Sequence, residues 1–494
     1  MINQVASHEK PINIFLNIST PSKIFIIQYF IFWRLLPVIS YWIYWGAENN
    51  LSLSIFLLII PYIFTEIFLL FPIIFSKFLG TKTGWLHPLV FPTLFIILLG
   101  FVKDPYSILS PFFIFNGNYP VTQYILHDGA SSSIVLYSHL KLNAINFIAI
   151  VGLYIGFNFK SIANYNYFVA LKKGDISETR IFILIAVIFV ILFYFLISSG
   201  GISSYISSLA LGRFNLRSSA GYIFVLLGFL PYLFVIWYAN NKQILRNPIF
   251  MTGFFLATIL QFVVSGSRTA LFIPWTIILV MWMLFNKKIP IYMIMSLAIF
   301  ALITIGILGQ VRGGADINSS VENFNTFDAI TETLNESSQR NIGMDIGVLE
   351  KVPYDVDYLN GSTYIGVILF WVPRSIWPDK PRGAGAYSSS LIFSKLDSAK
   401  GYSGASYPIK SSTELYWNFS YFGVIIGYFL FGIFLKNLTV IFQYSHINPI
   451  LVTIFIICLF QLRGGPGSDG LIQFFQTMIL LYLTNKFITF KLKF

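Results

Sequence analysis

The chain predicts an all-α polytopic membrane protein with about 12 transmembrane helices and one large outer, periplasmic loop. Three observations carry that expectation. First, 494 residues hold 56% hydrophobic and only 11% charged side chains, with mean hydropathy +0.74, whereas soluble proteins are roughly 25% charged. Second, the apolar runs are each close to the roughly 17 to 25 residues that cross a bilayer as helix. Third, lysines recur in every second connection between those runs, which by the positive-inside rule makes these connections and both termini cytoplasmic.

Taken in order, the first span covers 24–46. The polar stretch before it shows no apolar core followed by a small-residue cleavage site, so this span serves as the targeting signal. Span two, 51–75, returns the chain to Lys77 and Lys82. Span three, 85–101, leads to an outer connection over 102–141, and span four, 142–159, ends at Lys160, Lys172 and Lys173. Spans five and six, 181–199 and 220–239, enclose the outer connection 200–219 and finish at Lys242. Spans seven and eight, 248–265 and 270–285, form a hairpin closed by Lys287 and Lys288, and span nine covers 289–308. The large loop, 309–412, follows. Span ten, 413–435, precedes Lys436, and spans eleven and twelve, 447–462 and 471–485, lead to Lys486, Lys491 and Lys493. The chain thus divides into a membrane part (1–308), the loop (309–412) and a second membrane part (413–494), with no internal repeat.

Within the loop, the apolar stretch Tyr364 to Trp377 is interrupted by Pro373 and Arg374. It is too short to span and is expected along the interface or as a re-entrant segment. Arg34 and Glu66 lie at similar depth in adjacent spans and are expected to pair.

Arginines sort opposite to lysines. Arg213, Arg217, Arg268, Arg312, Arg340, Arg374, Arg382 and Arg463 fall on the outer side. Arg213 and Arg217 read as snorkelling side chains. Four others stand beside Gly or Ser: Ser267-Arg268, Arg312-Gly313-Gly314, Arg374-Ser375 and Arg463-Gly464-Gly465. Glycine leaves backbone N–H groups accessible, and a planar guanidinium suits two phosphate oxygens at once. These elements together could line an anion site.

Other chemistry is sparsely represented. His127, Asp128 and His139 lack a third close ligand and read as solvated surface. Asp355-Val356-Asp357 has the spacing of a metal-diphosphate pair, a pattern common by chance. No Gly-rich phosphate loop precedes a lysine and no Gly-x-Ser-x-Gly elbow occurs. A single cysteine, Cys458, excludes disulfides and a thiolate metal site. The net charge of +12 falls largely on lysines beside span ends, facing anionic lipid, so no nucleic-acid partner is expected. Neither metal nor cofactor is expected.

The stretch Phe370-Trp371-Val372-Pro373-Arg374-Ser375-Ile376-Trp377-Pro378-Asp379-Lys380-Pro381, followed by Ser403 to Pro408 and by Glu414-Leu415-Tyr416-Trp417-Asn418-Phe419, resembles the O-antigen polymerases of the Wzy type. Gly423 and Gly427 continue the pattern, Arg374 and Gly385 reproduce an Arg-x10-Gly loop spacing, and the turn at Arg268 and the Arg463-Gly464 pair are also similar. Over the first third of the chain the resemblance is one of topology alone.

This resemblance implies a multi-pass glycosyltransferase of the bacterial inner membrane that joins undecaprenyl-pyrophosphate-linked oligosaccharide repeat units at its outer face. Donor and acceptor are both lipid-linked; membrane lipid is a partner, and a chain-length regulator is a further optional one. Arg268, Arg312, Arg374 and Arg463 would hold pyrophosphate, assisted by Arg382 and Lys380. Glu414, at the outer mouth of span ten, is the first candidate for the base and Arg374 for the catalytic cation; Asp379 and Asp469 are weaker bases. For each carboxylate a pairing role within the loop is an equal alternative. An O-antigen ligase, or a lipid-linked oligosaccharide transporter or flippase, are the rival functions.

Overall fold

The computed structural model describes residues 18–36, 52–75, 84–93, 132–160, 177–198, 213–265, 268–286, 343–373, 376–393, 408–443 and 449–489, with single residues 39, 43 and 201. Among them the regular elements are helical: α1 (Thr20–Phe30), α2 (Ser52–Ile74), α3 (Ser132–Asn158), α4 (Glu178–Ser198), α5 (Arg213–Asn240), α6 (Pro248–Ser265), α7 (Arg268–Asn286), α8 (343–351), α9 (Ser362–Ile368), α10 (Ala384–Phe393), α11 (Ser411–Gln443), α12 (Pro449–Leu462) and α13 (Ser468–Thr489). Four helical stretches, Tyr137–Asn158, Glu178–Ser198, Ser411–Ile441 and Ser468–Thr489, are long and apolar enough to cross a membrane, and shorter apolar helices surround them. The expected span 289–308 and the first part of the large loop lie outside the described residues.

Helix α4 shows why the surroundings are apolar. Ile181, Ile185, Ile188, Leu192 and Phe195 are buried along one face, while Phe182, Val190, Phe193, Tyr194 and Ile197 stand exposed on the rest. A helix apolar all round with one face unpacked is a bilayer-facing helix. Its start is fixed locally: the Ser177 hydroxyl accepts from Arg180 N–H at 3.4 Å, and Glu178 sits in the first turn, where a carboxylate favours the helix dipole. Helix α6 starts the same way, with Asn247 Oδ1 accepting from Ile249 N–H at 2.9 Å.

Several observed helices outrun their apolar cores. Helix α3 begins at Ser132 rather than 142, and α5 at Arg213 rather than 220, because a helix that has begun adds one hydrogen bond per residue regardless of polarity. Prolines are tolerated where another group takes up the freed carbonyl. Pro72 of α2 leaves the Phe68 carbonyl without its helical donor, and the Tyr154 hydroxyl of α3 donates to it at 2.7 Å. Around Arg34 the first helix opens into a π turn, Ile31–Leu35; its expected partner Glu66 is buried.

The ends of the bundle differ. At one, Ser177 N–H and the Arg180 guanidinium donate to the Ile488 and Phe487 carbonyls of α13, and the Glu178 carboxylate accepts from Trp237 Nε1 at 3.0 Å and Asn241 Nδ2 at 3.3 Å. Lys242 follows α5 directly, and Lys486 lies in the last turn of α13. At the other end α13 begins, beside the loop helices α9 and α10. The end that carries Arg180, Lys242 and Lys486 is therefore opposite the end that carries the loop helices.

The longest seam joins α3 to α11 and is built on glycine. Side chains at Gly152 and Gly156 of α3 would strike the backbone of Ile425 and Phe429, and one at Gly432 of α11 would strike the backbone of Leu153 and Phe157. Gly152-Leu153-Tyr154-Ile155-Gly156 is a small-xxx-small motif, which lets helix backbones approach without side chains between them.

Helix α11 is not one rod. Phe419 (φ −142°, ψ 17°) and Ser420 (φ 59°, ψ −161°) break it into a short half, 411–418, and a long half, 421–443. The Leu415 side chain would meet a Cβ at Gly427 at 2.7 Å, and its carbonyl one at Gly423 at 3.0 Å. In a continuous helix, residues 415 and 427 would stand about 18 Å apart. The short half is therefore folded back on the glycine face of the long half. The expected span 413–435 is corrected accordingly: the straight helix begins only after Ser420.

Gly156→Leu places a branched side chain against the Phe429 carbonyl, and is expected to cost about 1–3 kcal/mol or more. Gly228→Ala, whose added carbon meets only Gln261 Nε2 at 3.8 Å, is the control. In detergent melts the first should lower the thermal midpoint clearly and the second should not; equal midpoints would contradict the seam.

Candidate functional site

The short half of α11 begins with Ser411-Ser412-Thr413-Glu414, residues suited to a helix start. Three contacts outside the helix hold it. Lys410 N–H donates to Asp345 Oδ1 at 2.8 Å, Ser412 Oγ donates to Asn146 Oδ1 of α3 at 2.8 Å, and Ser411 Oγ donates to the Gly464 carbonyl at 2.6 Å. Asp345 is itself buried, and desolvation raises its pKa above the ordinary carboxylate range, against the opposing pull of Lys410.

Glu414 is 3% exposed. Its Oε2 accepts the backbone N–H of Ser468 at 3.0 Å, the first residue of α13, so one carboxylate sits at the N-termini of two helices, where partial positive charge gathers. The fit is close: a Cβ at Gly467 would come within 3.2 Å of Oε2. One turn on, Asn418 Nδ2 donates to the Glu414 carbonyl at 2.9 Å and to Thr363 Oγ1 of α9 at 3.0 Å. The Tyr364 hydroxyl donates to the Pro466 carbonyl at 3.1 Å, and burial pushes that phenol well above its usual pKa.

Glu414 Oε1, Asn418 Oδ1 and Ser468 Oγ, all buried, make no well-formed hydrogen bond among the described residues, although the Ser468 and Thr363 hydroxyls stand beside the Glu414 carboxylate. Two are acceptors only. Leaving buried polar atoms unpaired costs about 1–3 kcal/mol each, and such a cluster is matched by a guest that brings hydrogen-bond donors.

The glycine-rich segment 463–470 forms the wall beside Glu414. Gly465 has φ +87°, a left-handed conformation that only glycine adopts freely, and a side chain there would meet the Tyr428 hydroxyl at 2.9 Å. Arg463 turns its guanidinium back to the Phe460 carbonyl at the end of α12, and desolvation holds its pKa below the usual guanidinium value. Asp469 lies against Gly383, where a side chain would overlap its carboxylate, and accepts from the Gly385 N–H. It thereby caps α10 and brings Arg382-Gly383 beside the 463–470 segment.

The structure thus gathers Glu414, the Arg463 segment and the Arg382 segment at the loop-bearing end. Arg382 is exposed. Asp469 has a capping contact, which favours its pairing role over that of a base. Lys380 donates to the Phe370 and Val372 carbonyls, both at 3.0 Å. Glu414 does not stand at an open mouth: it is sealed between the folded-back half-helix, α9 and the 463–468 segment. Arg312, Arg374, His127, Asp128 and the side chain of Arg268 lie outside the described residues, although the backbone of Arg268 opens α7. His139 is half-buried within α3, and Asp355 and Asp357 are exposed.

Sequence reasoning did not single out Asn418, Asp345, Tyr364 or Lys141. For Asn418 the signal was present, since it stands four residues after Glu414 and therefore on the same helix face. Lys141 is a lone cation at the head of an apolar run. No family model, curated protein or solved structure matches the chain.

Glu414→Gln preserves an acceptor for Ser468 N–H and removes a buried charge. The purified variant should melt no lower than the parent protein. A fall of several degrees would assign the carboxylate to holding the fold.

Proposed function

We propose that the protein polymerises undecaprenyl-pyrophosphate-linked oligosaccharide repeat units into O-antigen or a related surface polysaccharide, by glycosyl transfer at the outer face of the bacterial inner membrane. The observation that carries this is Glu414: a buried carboxylate, one oxygen of which has no well-formed hydrogen bond among the described residues, walled by two arginine-glycine segments at the loop-bearing end of an apolar helical bundle. In this reading the end that carries Arg180, Lys242 and Lys486, with both termini, is cytoplasmic, in keeping with the positive-inside rule.

The chemistry follows from the groups required. An acceptor sugar hydroxyl attacks the anomeric carbon of the donor, the bond from that carbon to the pyrophosphate oxygen breaks, and the electron pair leaves on the lipid pyrophosphate. Glu414 takes the hydroxyl proton, a contribution typically worth about 10² to 10⁴. Arg374 and Arg268, with Arg312, Arg382 and Arg463, stabilise the charge that develops on the departing pyrophosphate more than they stabilise the bound donor. Lys380 acts at one remove, through its hold on the Phe370 and Val372 carbonyls. No nucleotide takes part, because the pyrophosphate is already a good leaving group. Since Glu414 is sealed, the 463–468 segment or α9 must move to admit the acceptor, which places the proton transfer behind a gating step.

The test is the glycan ladder of deletion cells complemented with variants. Arg374→Ala and Glu414→Gln should both leave single repeat units on the surface glycan at normal protein level, and Arg374→Lys should rescue poorly because an ammonium lacks the two-pronged fork. A normal ladder in either variant removes that residue from the mechanism. Loss of all attached glycan on deletion would favour a ligase or flippase instead.

A further inference from the structure

Three segments distant in sequence bring five tyrosines together on the other side of the short half of α11. Tyr137 comes from α3, Tyr354 and Tyr358 from the stretch behind α8, and Tyr416 and Tyr421 flank the break at Phe419–Ser420. At 100° per residue, Tyr416 projects about 160° away from Glu414, so the cluster is separate from the buried carboxylate.

Its hydroxyls converge. Those of Tyr137 and Tyr354 share a hydrogen bond, and that of Tyr358 donates to Ser420 Oγ at 3.3 Å and lies 3.5 Å from that of Tyr416. The Tyr416 and Tyr421 rings meet edge to face at 5.0 Å. Lys141 locks the group: its ammonium stands 4.6 Å from the Tyr416 ring centre and 5.8 Å from that of Tyr354. It also donates to the Leu349 and Val352 carbonyls at 2.9 and 2.7 Å.

Ser420, which the Tyr358 hydroxyl touches, holds a backbone conformation (φ 59°, ψ −161°) that is essentially reserved for glycine. Such strain persists where surrounding contacts impose it, and it gathers at functional sites. Here Leu359 N–H, donating to the Trp417 carbonyl at 2.9 Å, adds to the restraint.

Two of the rings stand open: Tyr354 is 73% and Tyr137 53% exposed. Tyrosines of a membrane-interface belt serve as anchors at headgroup level; these turn their hydroxyls to one another and are braced by a buried cation. Asp355 and Asp357, exposed on the same stretch, supply acceptors and repel an acidic ligand. Fixed aromatic faces, phenol hydroxyls and carboxylate acceptors match the C–H faces and hydroxyls of pyranose rings.

We infer that this tyrosine platform is a binding site for a neutral oligosaccharide, apart from the Glu414 site. The choice of a glycan as ligand rests on the polymerase reading. The platform holds the sugar chain while the reacting end lies across the half-helix at Glu414, and its rigidity spares the ordering cost that weak stacking contacts could not offset.

Saturation-transfer NMR on the full chain in detergent tests this, with the repeat-unit oligosaccharide released by mild acid from the producing cells' lipid-linked pool as probe. Transfer to the sugar ring protons is expected in the parent protein. It should be weaker by roughly five-fold or more in Tyr354→Ala and retained in Tyr354→Trp, which keeps an aromatic face. Both variants alter an exposed ring and should melt like the parent. No transfer in the parent protein, or equal transfer in Tyr354→Ala, overturns the site. The two proposals fail separately: Tyr354-dependent transfer with a normal ladder in Arg374→Ala cells keeps the site and removes Arg374 from the mechanism. Absent transfer with a lost ladder does the reverse.

Discussion

The fold-back of α11 on itself is the constraint on which the rest of the loop-bearing end depends. A half-helix can lie along the long half only where no side chain intervenes, and Gly423 and Gly427 provide that face. The fold-back carries Glu414 to the start of α13, exposes Tyr416 to the tyrosine cluster, and leaves Trp417 O to accept from Leu359. The long half is fixed in turn by its glycine seam with α3. Two glycine-lined contacts on one helix thus set the position of the half-helix that carries Glu414 and Asn418.

Why such a device suits a helical bundle in lipid is a matter of backbone hydrogen bonds. Non-helical backbone at membrane depth survives only where protein or a wet cavity satisfies it. The break at Phe419–Ser420 and the glycine-rich 463–467 segment are both irregular: Leu359 N–H donates to the Trp417 carbonyl beside the break, and the Ser411 and Tyr364 hydroxyls donate to the Gly464 and Pro466 carbonyls. Among the described residues, buried oxygens without a well-formed hydrogen bond gather around Glu414, at its own Oε1, Asn418 Oδ1 and Ser468 Oγ. That gathering of under-used acceptors at one buried carboxylate is the physical argument for a ligand there.

Much of this was legible in the sequence. Apolar runs gave the helices because length and hydropathy act locally, and the lysine pattern anticipated which helix ends meet: Arg180 with the α13 carboxyl end, Lys242 beside it. Glu414 and the Arg463-Gly464 pair stood out by residue type. The break in α11 was not legible, since Asn418-Phe419-Ser420 contains neither glycine nor proline and the bend is imposed by Tyr358 and Leu359 from a remote segment. For the same reason the capping of α10 by Asp469 and the clasp of Lys380 on its own loop could not be read: both depend on where the chain returns. Gly152 and Gly156 carried a readable small-xxx-small signal that marks a close helix contact.

The central claim is that this chain alone, given lipid-pyrophosphate-linked repeat units, extends them. Purified protein in liposomes with such lipids as the sole glycan source, without nucleotide sugar or ATP, should produce carrier-linked chains of two or more repeat units. Consumption of donor should match the release of undecaprenyl pyrophosphate. If only single units remain at full incorporation of folded protein, or if units cross the bilayer without joining, the account is contradicted.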